Sequence, residues 1–154
     1  MPSTPTPPEP GAPAQPLRFS HTLLFRVRYS ETDQMGTFYS SRALEWFECG
    51  RTELLRSLGM SYATLEDQGV FLPVVEAFVQ YLGRARYDDQ LRMTTTMSFA
   101  GRARLRCEAH VAQAQTGRDV ARGHTVHAFT DPAGKVIRPP AWLLEKLAAA
   151  PRQA

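Results

Sequence analysis

The chain has 154 residues, enough for one domain with a core of its own. Its 18 basic and 15 acidic residues leave a formal charge of +3, so a pI of 9.1 overstates the basicity and no nucleic-acid partner is demanded. No stretch approaches the ~20 apolar residues of a membrane helix, and the start lacks the apolar run of roughly 7–15 residues of a secretory signal. A cytoplasmic protein with no membrane partner is expected.

The first 16 residues hold seven of the 12 prolines and no large apolar side chain beyond Met1. Such a segment buries too little surface to offset its ordering entropy. Residues 1–18 are therefore expected to be a disordered tail, 19–149 the folded domain and 150–154 a short C-terminal tail. His21 to Tyr29 alternates as a strand does and feeds a polar turn carrying Asp33 and Gly36. Leu44, Phe47, Leu54 and Leu58 then share one stripe of a helix from about residue 40 to Leu58. Ser40 and Ser41 offer hydroxyls at its start, and Gly59 suits the left-handed residue that ends it. Gly50 in mid-helix costs roughly 1 kcal/mol against alanine, which points to a close pass over a sheet. Ser61 and Gly69 bracket a second, two-turn helix.

From Leu72 the period changes. Leu72–Leu82 reads as a strand, and Leu91, Met93, Thr95, Met97 and Phe99 alternate through the next. After a turn at Gly101, Leu105, Cys107, Ala109 and Val111 face one way, with Arg104, Arg106, Glu108 and His110 opposite. Thr116-Gly117 turns the chain into a strand from Val120 to Thr130. Pro139-Pro140 opens a last short helix with Trp142, Leu143 and Leu147 on its apolar side. One strand, a long helix and then a run of strands predict an α+β domain, with about five antiparallel strands wrapped around one central helix.

Few residues carry chemistry. Cys49 and Cys107 are too few and too far apart for zinc and read as buried structural thiols. His124 and His127, three apart on a strand, point to opposite faces, so no metal site is expected. Arg102, Arg104 and Arg106 read as a solvated face or as contacts for the phosphates of a nucleotide-bearing ligand. Asp33 lies just before a helix N-terminus, where unpaired N–H groups polarise a carbonyl or bind an anion. A carboxylate there forms a catalytic pair with those groups, or serves only as a turn residue.

Tyr29-Ser-Glu-Thr-Asp-Gln-Met-Gly-Thr-Phe-Tyr, followed by Leu44-Glu-Trp-Phe-Glu and Arg51, resembles the signature of hotdog-fold acyl-CoA thioesterases of the 4-hydroxybenzoyl-CoA thioesterase type. Arg86-Tyr-Asp-Asp-Gln-Leu and His127-Ala-Phe-Thr-Asp-Pro-Ala-Gly resemble later segments, so the likeness runs from about Phe25 to Leu147. The resemblance implies a hotdog fold, a homodimer or homotetramer, and a hydrolase that splits an acyl-CoA to free acid and CoA. No cofactor is implied, since CoA belongs to the substrate. Asp33 becomes the catalytic carboxylate, as nucleophile or general base, with the N–H groups of Tyr39 and Ser40 holding the oxyanion. Tyr29, Gly36, Glu48, Arg84, Arg102 and Arg104 are candidates for substrate binding. Two departures stand out: Ser40 replaces a histidine and Arg42 an asparagine common in bacterial members. They keep open a hotdog protein that binds acyl-CoA without hydrolysing it. A hotdog hydratase would need a histidine a few residues after the aspartate, and none occurs between His21 and His110. Phe38, Tyr39, Phe47, Tyr62 and Phe78 are candidate pocket or core aromatics.

Overall fold

A computed structural model describes residues 16–151; most of the expected N-terminal tail, and residues 152–154, lie outside the described residues. At the boundaries, Arg18 already opens the first strand, and Leu17 and Ala150 pack against the core. In chain order come β1 (Arg18–Arg26), a single 3-10 turn (Tyr29–Glu31), α1 (Arg42–Ser57), α2 (Tyr62–Asp67), β2 (Val74–Tyr81), β3 (Gln90–Phe99), β4 (Arg104–Gln113), β5 (Asp119–Ala128) and α3 (Ala141–Ala149). The five strands form one antiparallel sheet in the order β1-β3-β4-β5-β2, with α1 lying across one face. This is the α+β hotdog arrangement. No helix among the described residues is long and apolar enough to cross a membrane.

The register follows the hydrophobic alternation. Leu91, Met93, Thr95 and Met97 of β3 and Leu105, Cys107, Ala109 and Val111 of β4 are buried on the face beneath α1. β2 departs from a simple succession of hairpins. It pairs with β5 at the far edge, not with the β3 that follows it. The chain from Leu82 to Asp89 therefore travels back across the sheet. Gly83 makes this possible: an added Cβ would collide with the Asp119 carbonyl.

Helix α1 buries Ala43, Trp46, Phe47, Gly50, Leu54 and Leu55. This corrects the expected stripe: Leu44 is 40% exposed and Trp46 takes its place, because the row facing the sheet runs through Ala43, Trp46, Phe47 and Gly50. The helix ends at a left-handed Gly59 (φ +76°) whose N–H donates to the Arg56 carbonyl, with Met60 N–H reaching back to Leu55. At its start Ser41 already has helical dihedrals and makes no side-chain cap, so the expected hydroxyl cap is absent. Ser61 does cap α2, accepting from Thr64 N–H at 3.1 Å. Cys107 is buried, and burial pushes its thiol up to about 12 while the nearby Arg51 pulls the other way. Cys49 is instead exposed, on the side of α1 away from that core.

Gly50 is the point of closest approach. A Cβ there would strike Thr95 Oγ1 and come within 2.9 Å of the Met93 methyl. Although alanine gains ~1 kcal/mol of helix propensity, Gly50→Ala should destabilise the protein by about 1–3 kcal/mol through overpacking. Denaturant unfolding checks this, and the loss should shrink in a Thr95→Ala background.

His127 lies under the sheet end with Nδ1–H donating to the Leu72 carbonyl at 2.9 Å and Nε2 accepting from the Thr125 hydroxyl at 2.8 Å. Burial lowers its pKa, the Leu72 bond works against this, and Arg51 adds to the lowering. The unfolded histidine takes its proton near ~6.5 while the folded one resists it. Stability should therefore fall as pH drops below about 6.5, by at most about 1.4 kcal/mol per pH unit. Urea midpoints between pH 7 and 5 should show this decline, flattened in His127→Gln.

Candidate active site

Between β1 and α1 the backbone makes a small hairpin. Tyr39 N–H bonds the Glu31 carbonyl at 2.7 Å, Thr32 bridges Phe38, and Asp33 N–H bonds the Thr37 carbonyl at 2.9 Å. The tip is a turn closed by Gly36 N–H on the Asp33 carbonyl, with Gly36 at φ +74°, a conformation glycine adopts without strain. Asp33 is half-buried there. Its Oδ1 accepts the Met35 N–H at 2.8 Å, which fixes the carboxylate as an Asx turn does. Its Oδ2 has no hydrogen-bond partner among the described residues.

The returning crossover runs alongside this hairpin. Phe38 N–H donates to the Ala85 carbonyl at 2.9 Å, and Ala85 N–H donates to Thr37 Oγ1 at 3.2 Å. Gly83 and Arg84 are thereby brought beside Asp33, and with Thr37, Tyr39, Ser40 and Tyr81 they line a cleft of about 250 Å³. Tyr81, at the end of β2, donates its hydroxyl to the Ser40 carbonyl at 2.7 Å. The Ser40 and Ser41 N–H groups donate to no protein acceptor among the described residues. They stand at the start of a 16-residue helix, where the partial positive charge of the backbone is greatest.

Of the two amides named from sequence, Ser40 is thus free and Tyr39 is not, because the Tyr39 N–H is spent on the hairpin root. Arg84 reaches the cleft, with Nη1 3.5 Å from the Met35 carbonyl. It also borders a second cleft of about 360 Å³ that holds Arg86 and Arg118. None of these three guanidiniums has a carboxylate within 4.0 Å among the described residues. The acidic neighbour, Asp89, is occupied by Arg86 N–H at 2.8 Å and Gln113 Nε2 at 3.0 Å.

The other sequence candidates stand elsewhere. Tyr29 is 78% exposed and packs edge-on against Tyr87, ring centres 5.5 Å apart. Glu48 is exposed on α1 and does not line the cleft. Arg102 and Arg104 sit at the β3–β4 turn, the end of the hairpin remote from Asp89, about 30 Å along a ten-residue strand. Within one chain they are out of reach of Asp33. Phe47 is core, Phe38 is buried but also lines the Asp33 cleft, Tyr62 accepts a bond from Arg51 at 3.0 Å, and Phe78 lies on the opposite sheet face stacked on His124. Arg42 holds Glu45 at 2.9 Å and touches the Ser30 carbonyl at 3.4 Å, so it braces the helix start against the 3-10 turn. No group of three His, Cys, Asp or Glu residues that could hold a metal occurs among the described residues.

Sequence reasoning missed Tyr81, Arg86 and Arg118. Tyr81 arrives at the end of β2 and Arg118 on the turn between β4 and β5, both distant in sequence. Arg86 had a nearer signal, since it opens a segment already noted for its resemblance.

Comparison with known proteins matches residues 27–147 to a family model described as the thioesterase-like superfamily. A putative acyl-CoA thioesterase of Bacillus subtilis, YneP, is 44% identical over 63 residues, covering 41% of this chain and 46% of that protein, so the aligned part spans less than half of this relative. A putative esterase of Synechocystis is 31% identical over 117 residues, covering 75% and 70% of the two chains. Among solved structures, a DHNA-CoA thioesterase from Staphylococcus aureus superposes with a TM-score of 0.76 at 27% identity, covering 84% of this chain and 89% of that one.

Proposed function

Since this chain belongs to the thioesterase-like superfamily, we propose that it hydrolyses an acyl-CoA thioester to the free acid and CoA. The observation that carries the reading is that Asp33, with one carboxylate oxygen free of protein partners, and Ser40, with its N–H free, line one small cleft. In the nucleophilic version, Asp33 Oδ2 attacks the thioester carbon and its electron pair displaces onto the carbonyl oxygen. Collapse of that adduct expels CoA thiolate, and water cleaves the resulting anhydride. In the general-base version, Asp33 takes a proton from water as the water attacks the thioester carbon, and collapse of the adduct breaks the C–S bond and expels CoA thiolate, leaving the free acid. Either route places negative charge on the carbonyl oxygen, and the Ser40 N–H, with Ser41 beside it, is the donor set that holds it. The names of the acyl-CoA thioesterase relatives support the substrate class, and no histidine lines the cleft to act as base.

Two further features support the same reading. Arg84, Arg86 and Arg118, against the one carboxylate of Asp89, give the adjoining cleft a net positive charge suited to the phosphates of CoA. The β2 strand is almost bare: Val74, Val75, Phe78 and Tyr81 are each about half exposed, and its outer edge has no strand beside it. A second copy adding its own β2 there would cover that edge and wall the Asp33 cleft beyond Tyr81. The functional unit is on this reading a homodimer, or a tetramer built of such dimers.

Thiol release from a panel of aromatic, short and long acyl-CoAs, with wild type and Asp33→Asn compared, tests the reading. Asparagine keeps the acceptor for Met35 N–H, so the turn should survive. The variant should remain folded and dimeric by sedimentation while kcat falls about 10²–10⁴-fold. Binding without turnover by the wild type would favour a non-catalytic acyl-CoA-binding role, and full turnover by Asp33→Asn would move the chemistry elsewhere. Arg84→Ala and Arg118→Ala should each raise KM for acyl-CoA by up to about tenfold, the worth of one charge-assisted bond. The same acyl group on pantetheine, which lacks the nucleotide phosphates, should show little change.

A further inference from the structure

Glu31 is 3% exposed, a buried carboxylate two residues before Asp33. Its Oε2 accepts the Arg28 N–H at 2.7 Å, and its Oε1 accepts the Trp46 indole N–H at 3.1 Å and the Arg28 guanidinium at 3.1 and 3.2 Å. Its backbone carbonyl accepts the Tyr39 N–H at 2.7 Å. One residue thus ties together the strand end, the root of the Asp33 hairpin and the second turn of α1. The ring of Trp46 is itself wedged between Phe38, on the hairpin, and Phe25, on β1, with ring centres 4.7 and 5.2 Å away.

The two groups that converge on the cleft belong to different bodies. Asp33 rides on the hairpin; the Ser40 and Ser41 amides belong to the start of α1. Between hairpin and helix there are the short link through Ser40, the Arg42 N–H bond to the Tyr39 carbonyl at 2.9 Å, the Arg42 guanidinium contact with the Ser30 carbonyl, and the Glu31–Trp46 bond, while Tyr81 holds the Ser40 carbonyl from β2. Of these, Glu31–Trp46 joins two side chains that are each 3% exposed and reaches the second turn of α1, beyond the backbone link. Resting on the thioesterase reading above, we propose that Glu31 is a positioning residue that acts through Trp46 to hold the Asp33 carboxylate in register with the helix-start amides. Its side chain touches no substrate in this role. Misplacing a reacting group by about 1 Å costs on the order of a hundredfold in rate, so the effect belongs in kcat.

The experiment compares wild type with Trp46→Phe, Glu31→Gln, Glu31→Ala and Asp33→Asn, using the acyl-CoA of the panel that turns over fastest. Thermal unfolding and mass in solution are measured alongside. Trp46→Phe keeps an aromatic ring between Phe25 and Phe38 but removes part of the indole along with its N–H, so the comparison of Glu31→Gln with Glu31→Ala separates the lost bond from the lost volume. Expected are a fall in kcat of about tenfold or more in Trp46→Phe and about a hundredfold in Glu31→Ala, with KM within about twofold. Glu31→Gln, whose oxygen still accepts from the indole while its amide NH2 meets the Arg28 N–H, should recover part of the rate lost in Glu31→Ala. Adding Trp46→Phe to Asp33→Asn should cost nothing further. Unchanged kcat in a folded Trp46→Phe, or equal losses in Glu31→Gln and Glu31→Ala, would overturn the inference while an inactive Asp33→Asn leaves the catalytic reading standing. Full turnover in Asp33→Asn would overturn that reading and this inference with it.

Discussion

Helix α1 meets the sheet with no side chain of its own at Gly50, where the Thr95 and Met93 side chains occupy the space a Cβ would need. That contact sets the height of the helix over the strands, and much else follows from it. With the helix low, Trp46 and Phe47 wedge down on either side of Gly50, Trp46 against Phe25 and Phe38 and Phe47 against Gly123 of β5. The N-terminal turn is then held at a fixed depth above the crossover from β2 to β3. A bulkier residue at position 50 would lift the helix and loosen both wedges. Close packing transmits such a shift because the interior has no slack to absorb it.

The candidate site is a consequence of this geometry together with the strand order. Because β2 pairs at the far edge, the chain must return past the helix start to begin β3, and that return delivers Gly83, Arg84 and Ala85 to the Asp33 hairpin. The hairpin spends the Tyr39 N–H on its own root and the Phe38 N–H on the Ala85 carbonyl. On the cleft, the second Asp33 oxygen and the Ser40 N–H have no protein partner among the described residues. The positive charge is arranged in the same way. Most arginines on the sheet are paired with Glu108, Asp119 or Asp88, whereas Arg84, Arg86 and Arg118 around the second cleft are not. Folding leaves unsatisfied the groups that a thioester and its phosphates would satisfy.

Much of this was legible in the amino-acid sequence, and the parts that were not share a physical origin. Periodicity reports which face a residue occupies, so the alternation of Leu105 to Val111 and the opposite facing of His124 and His127 could be read directly. Gly50 announced a close pass, since a helix tolerates a mid-helix glycine at a cost that something must offset. Periodicity does not report which strand is whose neighbour. The edge position of β2, and with it the arrival of Tyr81 and Arg118 near the helix start, is set by long-range pairing. For the same reason Arg102 and Arg104 were drawn toward the site by charge alone, although a ten-residue strand separates them from it. Leu44 was placed on the buried stripe by its spacing and Cys49 by residue type, but both stand exposed because the buried row of α1 runs through Ala43, Trp46, Phe47 and Gly50. Asp33 itself was found by its motif, and the structure adds why it is usable: its turn is held by one oxygen and leaves the other free.

The central claim, that Asp33 and the helix-start amides face one thioester carbonyl, is tested most directly by a crystal structure with an acyl-CoA analogue whose sulfur is replaced by methylene, giving an inert ketone. The account places the ketone oxygen about 2.7–3.1 Å from the Ser40 N–H. It places the carbonyl carbon within about 3.5 Å of the free Asp33 oxygen or of a water bound to it. An analogue seated with its carbonyl turned away from both groups, or bound outside the Asp33 cleft, would contradict the account.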